Sequence, residues 1–330
     1  MKSRQNQTDQ TRPDEASRLI THMQHTLNYH ERLLSDRIRN QTFYKALKRH
    51  VRPGSAVMDI GSGTGVWAIA AATLGASRVV AIERDEILIP IIEKLASKNG
   101  VKDRIEVIEG DSREAKVKGK FDVIISETVG NHAFDEGIVP IIIDAKKRFL
   151  KENGVVIPEA IASVVAPAHI DVGDKRLPTG LKLDYRYLEV LNRDISKKIT
   201  DQSKVKLLGP PAVLAHVNLK TVIEPPPLTG MKCKWRLKDA GPMNSLILWA
   251  HVVLTKGVSL HTIRHTRGWN PVALPVDPFA KGPAVIECTI SQSNKQYYWM
   301  VSRNHKGERE VQSHSPMFPY TSIQAHRKSG

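Results

Sequence analysis

The feature that most limits what this chain can become lies in residues 51–158, where short, largely apolar runs alternate with longer amphipathic stretches. Val57 to Ile60, Val79 to Ile82, Ile105 to Ile108, Val123 to Ile125 and Val155 to Ile157 read as strands. Trp67 to Leu74, Ile87 to Ser97 and Gly137 to Leu150 read as the helices between them. Strands apolar along their length, each followed by a helix, predict an α/β fold with a mostly parallel sheet buried on both faces. Ligands of such sheets bind at the carboxyl ends of the strands.

The flanking segments differ. Residues 1–18 mix Gln, Thr, Asp and Arg without apolar periodicity and predict a mobile tail. Residues 19–50 turn helical, with Leu27, Leu33, Leu34, Ile38, Phe43 and Leu47 on apolar faces. After Pro158, β-branched runs punctuated by Pro and Gly (Ala160 to Val165, Ala212 to Asn218, Ser245 to Leu254, Ala284 to Ser291) predict a mostly antiparallel β-barrel domain over 159–330. Within it, DYRYLEVLNRDISKKI makes residues 173–206 a helical excursion, either packed on its own barrel or an arm that docks on another subunit. A chain of 330 residues with 41% apolar content and two cysteines has room for two domains and excludes disordered, fibrous and disulfide-stapled classes. Cys233 and Cys288 have no ligands at zinc spacing, so no metal is expected. No apolar run reaches the roughly 18 residues of a spanning helix, and the polar N-terminus does not read as a targeting peptide; no membrane association and a cytoplasmic location are expected. Of the net charge of +15, residues 159–330 carry +11, scattered over Lys175, Arg176, Lys197, Lys198, Lys232, Lys234 and Lys238. This favours acidic surfaces as partners or is simply solvated basic surface.

The run VMDIGSGTG places Asp59, Gly61, Gly63 and Gly65 at the end of the first strand, directly before a helix. Such glycines permit a tight turn and close backbone approach to a ligand. A dinucleotide fingerprint needs its third glycine one residue later, where this chain has Val66. The second strand ends in Glu83, 18 residues past Gly65, where a carboxylate can accept both ribose hydroxyls. The third ends near Asp111 and Ser112, where an acceptor could meet an adenine amino group. Asp59 could face an ammonium group. An amino acid, a ribose and an adenine without phosphate describe S-adenosylmethionine.

These residues resemble the class I S-adenosylmethionine methyltransferases, and within them the protein arginine methyltransferases. NYHERLLSDRIRNQTFYKAL is similar to the helix that this family folds over its cofactor, and the match implies that His30 and Arg39 hold the methionine carboxylate. SETVGNHAFDE, after the fourth strand, resembles the family's double-glutamate loop, with Glu127 and Glu136 nine residues apart as the catalytic pair. The barrel with its inserted arm near 173–206 resembles that of the family's dimers. The resemblance implies a Rossmann-like cofactor domain, a β-barrel substrate domain, a homodimer, a protein or peptide substrate, and S-adenosylhomocysteine as product.

Two departures fall on the acceptor side. ITHMQ replaces the family's substrate-facing tyrosine motif, and HTRGWNPVALPV keeps Trp269 of its threonine-histidine-tryptophan loop but loses the histidine that pairs with an aspartate matching Asp36. His265, or His132 inside the double-glutamate loop, would have to substitute. The expected activity is methyl transfer to an arginine guanidinium, which Glu127 and Glu136 would orient and polarise. The alternatives are methylation of a non-arginine nitrogen and a cofactor-binding scaffold without catalysis. RNA is disfavoured, since neither an Asn-Pro-Pro-aromatic loop nor a catalytic cysteine pair is present.

Overall fold

The computed structural model describes residues 13–171, 187–188, 192, 194–263, 268–293 and 296–316. The first half is a five-stranded parallel sheet of β1 (Ala56–Ile60), β2 (Arg78–Glu83), β3 (Ile105–Glu109), β4 (Phe121–Ser126) and β5 (Leu150–Ile157), in the order β3-β2-β1-β4-β5. Helices α3 (Val66–Thr73), α4 (Ile89–Lys98) and α5 (Ile138–Phe149) form the crossovers. Val57, Val79, Val80, Ile124 and Ile125 are fully buried, as strands covered on both faces require. The strand order turns back at β1 and β4. Such a switch point opens a crevice at the carboxyl ends of these two strands, and the glycine loop and Glu127 follow them immediately.

Two helices precede the sheet, α1 (Pro13–Leu34) and α2 (Arg37–His50). The predicted tail is shorter than 18 residues, because Pro13 and the acidic pair behind it start α1, a sequence suited to a helix N-terminus. Leu19, Ile20 and Met23 on this helix stay exposed, so no buried stripe marks its first turns. The α1 helix docks on the loop after β2, where Thr26 Oγ1 donates to Asp85 Oδ2 at 3.1 Å. Asp36 caps α2 by accepting from the Arg39 N–H at 3.0 Å, and Phe43 of α2 stacks on Trp67 of α3 with ring centroids 5.0 Å apart.

The second half begins after a cis Ile157–Pro158 bond. Its strands are β6 (Ala160–Ile170), β7 (Lys197–Lys198), β8 (Val205–Leu207), β9 (Ala212–Asn218), β10 (Met231–Leu237), β11 (Ser245–Thr255), β12 (Val258–His261), β13 (Val272–Pro275), β14 (Ala284–Ser293), β15 (Gln296–His305) and β16 (Glu308–His314). One antiparallel sheet runs β7-β13-β11-β6-β8, with β12 on β11 and β9 on β6; the other runs β10-β14-β15-β16. Inward-facing Val165, Leu246, Leu248 and Leu274 of the first meet Trp235, Ile286, Ile290 and Trp299 of the second in one apolar cluster, a barrel-like interior. The helical arm expected near 173–206 falls mostly outside the described residues. Its last part is barrel strand: β7 pairs with β13 and β8 with β6.

Candidate active site

A cavity of about 1020 Å³ opens at the carboxyl ends of the parallel strands. Its wall gathers His30, Gly61, Gly63, Glu83, Asp111, Ser112, Glu127 and Glu136, together with Tyr29, Thr128 and Asp135. Eight of the sequence-predicted residues therefore share one chamber. Arg39, Asp59, Gly65, Asp36 and Trp269 are not on that wall, and His265 lies outside the described residues.

The glycine loop shows why glycine is needed. Gly63 has φ +57, and a Cβ there would stand 2.6 Å from Cε1 of His30. A Cβ on Gly61 would stand 2.7 Å from Cγ2 of Thr128. The loop is thus gripped between α1 and the segment after β4. Glu83 is fixed by backbone donors: Oε2 accepts from Gly63 N–H at 2.7 Å, and Oε1 from the N–H groups of Arg84 and Asp85 at 2.8 and 3.0 Å. Asp111 takes both ends of Arg113 at 3.0 and 2.5 Å, which with the Arg113 backbone N–H holds its carboxyl at about 2. Burial pushes His30 below the ordinary histidine value, so its imidazole is neutral at pH 7.

Asp59 sits behind this wall. Its Oδ2 accepts from the Ala68 N–H in the first turn of α3 at 3.0 Å, while Oδ1 is buried without a partner. Burial raises its pKa to about 7, against the pull of that hydrogen bond. A buried carboxylate with an unused acceptor beside the loop suits a cationic ligand group. Two strand-end carboxylates on the wall suit hydroxyl and amino donors. The residues therefore fit S-adenosylmethionine.

At the other end of the cavity, Glu127 is tied down by Arg39. Its side chain is 9% exposed and accepts from Nη2 of Arg39. Burial raises the Glu127 pKa and the Arg39 charge pulls it back. Arg39 is itself 2% exposed, with its guanidinium 5.5 to 5.8 Å from the ring centroids of Trp269, Trp67 and Phe43. In this structure Arg39 thus faces the Glu127 carboxylate, where the resemblance implied a cofactor carboxylate. Glu136 is exposed, just before the Gly137 cap of α5.

The loop between the two glutamates is held from the barrel side. Asn131 O accepts from Oγ1 of Thr262 at 3.1 Å, and its Oδ1 accepts from the Asn270 N–H at 2.9 Å. Asp135 Oδ2 accepts from the Asn131 N–H at 3.1 Å. His132 is buried against Tyr297, and burial lowers its pKa, so it packs as a neutral ring and is absent from the cavity wall. Asp36 is also held from the barrel side: its Oδ2 accepts from the Gly268 N–H at 2.8 Å. A backbone amide occupies the position where a histidine was expected.

Sequence reasoning missed Tyr29. It lines the cavity, and burial together with the charges of Glu136 and Glu127 drives its pKa upward. The family's tyrosine motif falls before residue 28, where this chain has ITHMQ. Its place next to His30 on a helix crossing the strand ends was the available signal.

A model of the ribosomal protein L11 methyltransferase (PrmA) family matches residues 41–163, the parallel-sheet half. A probable protein arginine N-methyltransferase 6 of Arabidopsis thaliana is 27% identical over 233 residues, covering 68% of this chain and 53% of its own length. The protein arginine N-methyltransferase PRMT10 of Oryza sativa subsp. japonica is 34% identical over 152 residues, 45% of this chain and 40% of its own. The chain is similar to protein arginine methyltransferases. It spans about half the length of the curated relatives it matches. The likeness in fold extends further: a Trypanosoma brucei PRMT1 enzyme-prozyme heterotetrameric complex with AdoHcy superposes with a TM-score of 0.71 at 18% identity, covering 86% of this chain and 96% of that one. The two-part architecture is thus the class I methyltransferase fold followed by a β-barrel-like domain.

Proposed function

We propose that the chain transfers a methyl group from S-adenosylmethionine to a guanidinium nitrogen of arginine in a protein or peptide, releasing S-adenosylhomocysteine. The observation that carries this reading is the placement of Glu127 and Glu136 in the same cavity as the glycine loop, Glu83 and Asp111. Bound there, the cofactor supplies an electrophilic methyl on a sulfonium. Glu83 would accept its ribose hydroxyls, Asp111 and Ser112 would meet its adenine, and His30 with the glycine loop would line its amino-acid end.

A guanidinium stays protonated at ordinary pH and is a poor nucleophile. Glu127 and Glu136 would take its N–H groups, desolvate it and draw charge from the reacting nitrogen, an interaction that strengthens as positive charge passes from the sulfonium to the guanidinium. The Arg39 charge favours the ionised form of Glu127 for that role, against its burial. The proton released after transfer has a carboxylate Oε to receive it. Asp135 and Tyr29 add polar groups to the same end of the cavity.

The test is Glu127→Gln assayed with isotope-labelled S-adenosylmethionine and an arginine-rich peptide, with mass spectrometry of the product. Loss of methylarginine by at least about a hundredfold is expected, with cofactor affinity changed little. Full activity in the variant would remove the paired-carboxylate mechanism, and a methyl group found on a different nitrogen would change the acceptor.

The reading includes a homodimer formed through the segment near 173–206, supported by the dimers of the family that the chain resembles. Sedimentation of the chain lacking residues 178–192, which leaves β7 in place, should show monomers. An unchanged mass would refute the assignment.

A further inference from the structure

The chain contains two cysteines, 55 positions apart, and the fold sets them face to face. In the antiparallel pair of β10 and β14, Cys233 and Cys288 are direct cross-strand partners. Both point to the inner side of the sheet, on the same faces as Trp235 and Ile286. Directly opposed antiparallel residues have Cα atoms about 4.5–5.5 Å apart, inside the range that a disulfide spans without moving the backbone. Both thiols are free.

Their surroundings make them unequal. Cys288 is 2% exposed on a central strand, whereas Cys233 is half-buried on β10, the edge strand of its sheet. The Cys233 thiol lies 3.8 Å from the carbonyl of Val213, a residue whose side chain is 60% exposed. The interaction between the two thiols favours the thiolate on Cys233, and the same interaction together with burial pushes the Cys288 thiol strongly upward. Lys232 and Lys234 flank Cys233 along the strand, and Glu287, beside Cys288, is paired with Lys234 at 2.7 Å. A thiolate-prone, accessible cysteine next to a buried partner is the arrangement of an attacking and a resolving thiol.

We propose that Cys233 and Cys288 form a reversible dithiol–disulfide site, distinct from the methyl-transfer cavity, that reacts with small disulfides of the glutathione type. The Cys233 thiolate attacks one sulfur of the oxidant, forming a mixed disulfide and expelling one small thiol. Cys288 then attacks Cys233 Sγ, and the second small thiol leaves. The two cysteines lose two electrons and two protons, and the oxidant becomes two reduced thiols. The bridge pins an edge strand to its neighbour.

The experiment treats the reduced full-length protein with glutathione disulfide under native conditions, followed by alkylation and mass mapping. Both alkylation sites should disappear together and a linked peptide containing residues 233 and 288 should appear. Dithiothreitol should reverse this, and the oxidised form should melt at a higher temperature. Cys288→Ser should stop at glutathione on Cys233, and Cys233→Ser should leave Cys288 unmodified. Two thiols still alkylated after native treatment would overturn the proposal. So would glutathionylated Cys233 as the end product in wild type, or a bridge between chains.

Discussion

The two ends of the cavity are built differently. Glu83, the glycine loop and Asp111 belong to consecutive strand ends of one sheet, and backbone N–H groups or an adjacent side chain set their positions. The end that carries the two glutamates, the acceptor end of the proposed reaction, is assembled from three separate stretches: α1 and α2 bring Tyr29 and Arg39, the segment after β4 brings the glutamates, and the barrel loops tie down Asn131 and Asp36. A site made from local backbone tolerates change elsewhere. A site made from long-range polar ties fails when any one of them is cut.

That contrast is tested most severely at Arg39. Arg39→Met leaves Glu127 buried without its cation, which should cost about 3–5 kcal/mol of stability, read as a shift in urea midpoint. It should also move the acidic limb of the activity profile to higher pH: the proposed mechanism needs Glu127 ionised, burial already raises its pKa, and the variant removes the charge that opposes burial. Cofactor affinity measured by calorimetry sharpens the division. If it falls in step with activity, Arg39 serves the cofactor as the family resemblance implied, and the two ends are not separable.

On the cofactor side, Asp59→Asn should change the pH dependence of stability. The folded-state pKa of about 7 exceeds the ordinary 3.8, so between these values the folded chain keeps a proton that the unfolded chain has released. Wild-type stability therefore falls as pH rises through this window, by on the order of 4 kcal/mol, and the asparagine variant should be flatter. Denaturant titrations near pH 4 and near pH 8 check this, and parallel profiles would place the burden on another group. A smaller cost is expected for Gly63→Ala. A left-handed alanine costs about 1–2 kcal/mol, and the added methyl meets His30, so cofactor affinity should drop about tenfold. Adding His30→Ala should relieve the steric part and leave the backbone part.

The same division explains what the sequence disclosed. The parallel strands were legible because burial on both faces leaves an apolar run with no alternation, and Glu83, Asp111 and the glycines follow from strand ends. The barrel strands were legible from β-branched runs between prolines and glycines. The Arg39–Glu127 pair spans 88 positions and leaves no local trace. The Gly268 amide on Asp36 is a backbone donor, which no residue pattern records. The start of α1 was misplaced because its first turns bury nothing. Tyr29 was overlooked although its position beside His30 was informative: residues adjacent on a helix are turned about 100° apart, so one helix lying across a crevice can present both.

Tyr29 offers the finest test of how the acceptor end works. Its ring packs edge-on against His30 at 5.2 Å, and Arg32 lies 5.6 Å from its centroid, so the phenol is held by contacts that Tyr29→Phe keeps. Only the hydroxyl is lost. Near two carboxylates that hydroxyl stays protonated and is a donor, able to hold a glutamate in place or to meet the acceptor directly. The loss of one such bond lowers kcat/KM for the peptide by roughly three- to tenfold, with cofactor affinity and the urea midpoint unchanged. If the loss falls on KM alone, Tyr29 binds the acceptor equally in the ground and transition states. If it falls on kcat, the hydroxyl positions a glutamate for the transfer step. If neither parameter changes, Tyr29 is a wall residue and the acceptor end relies on its carboxylates.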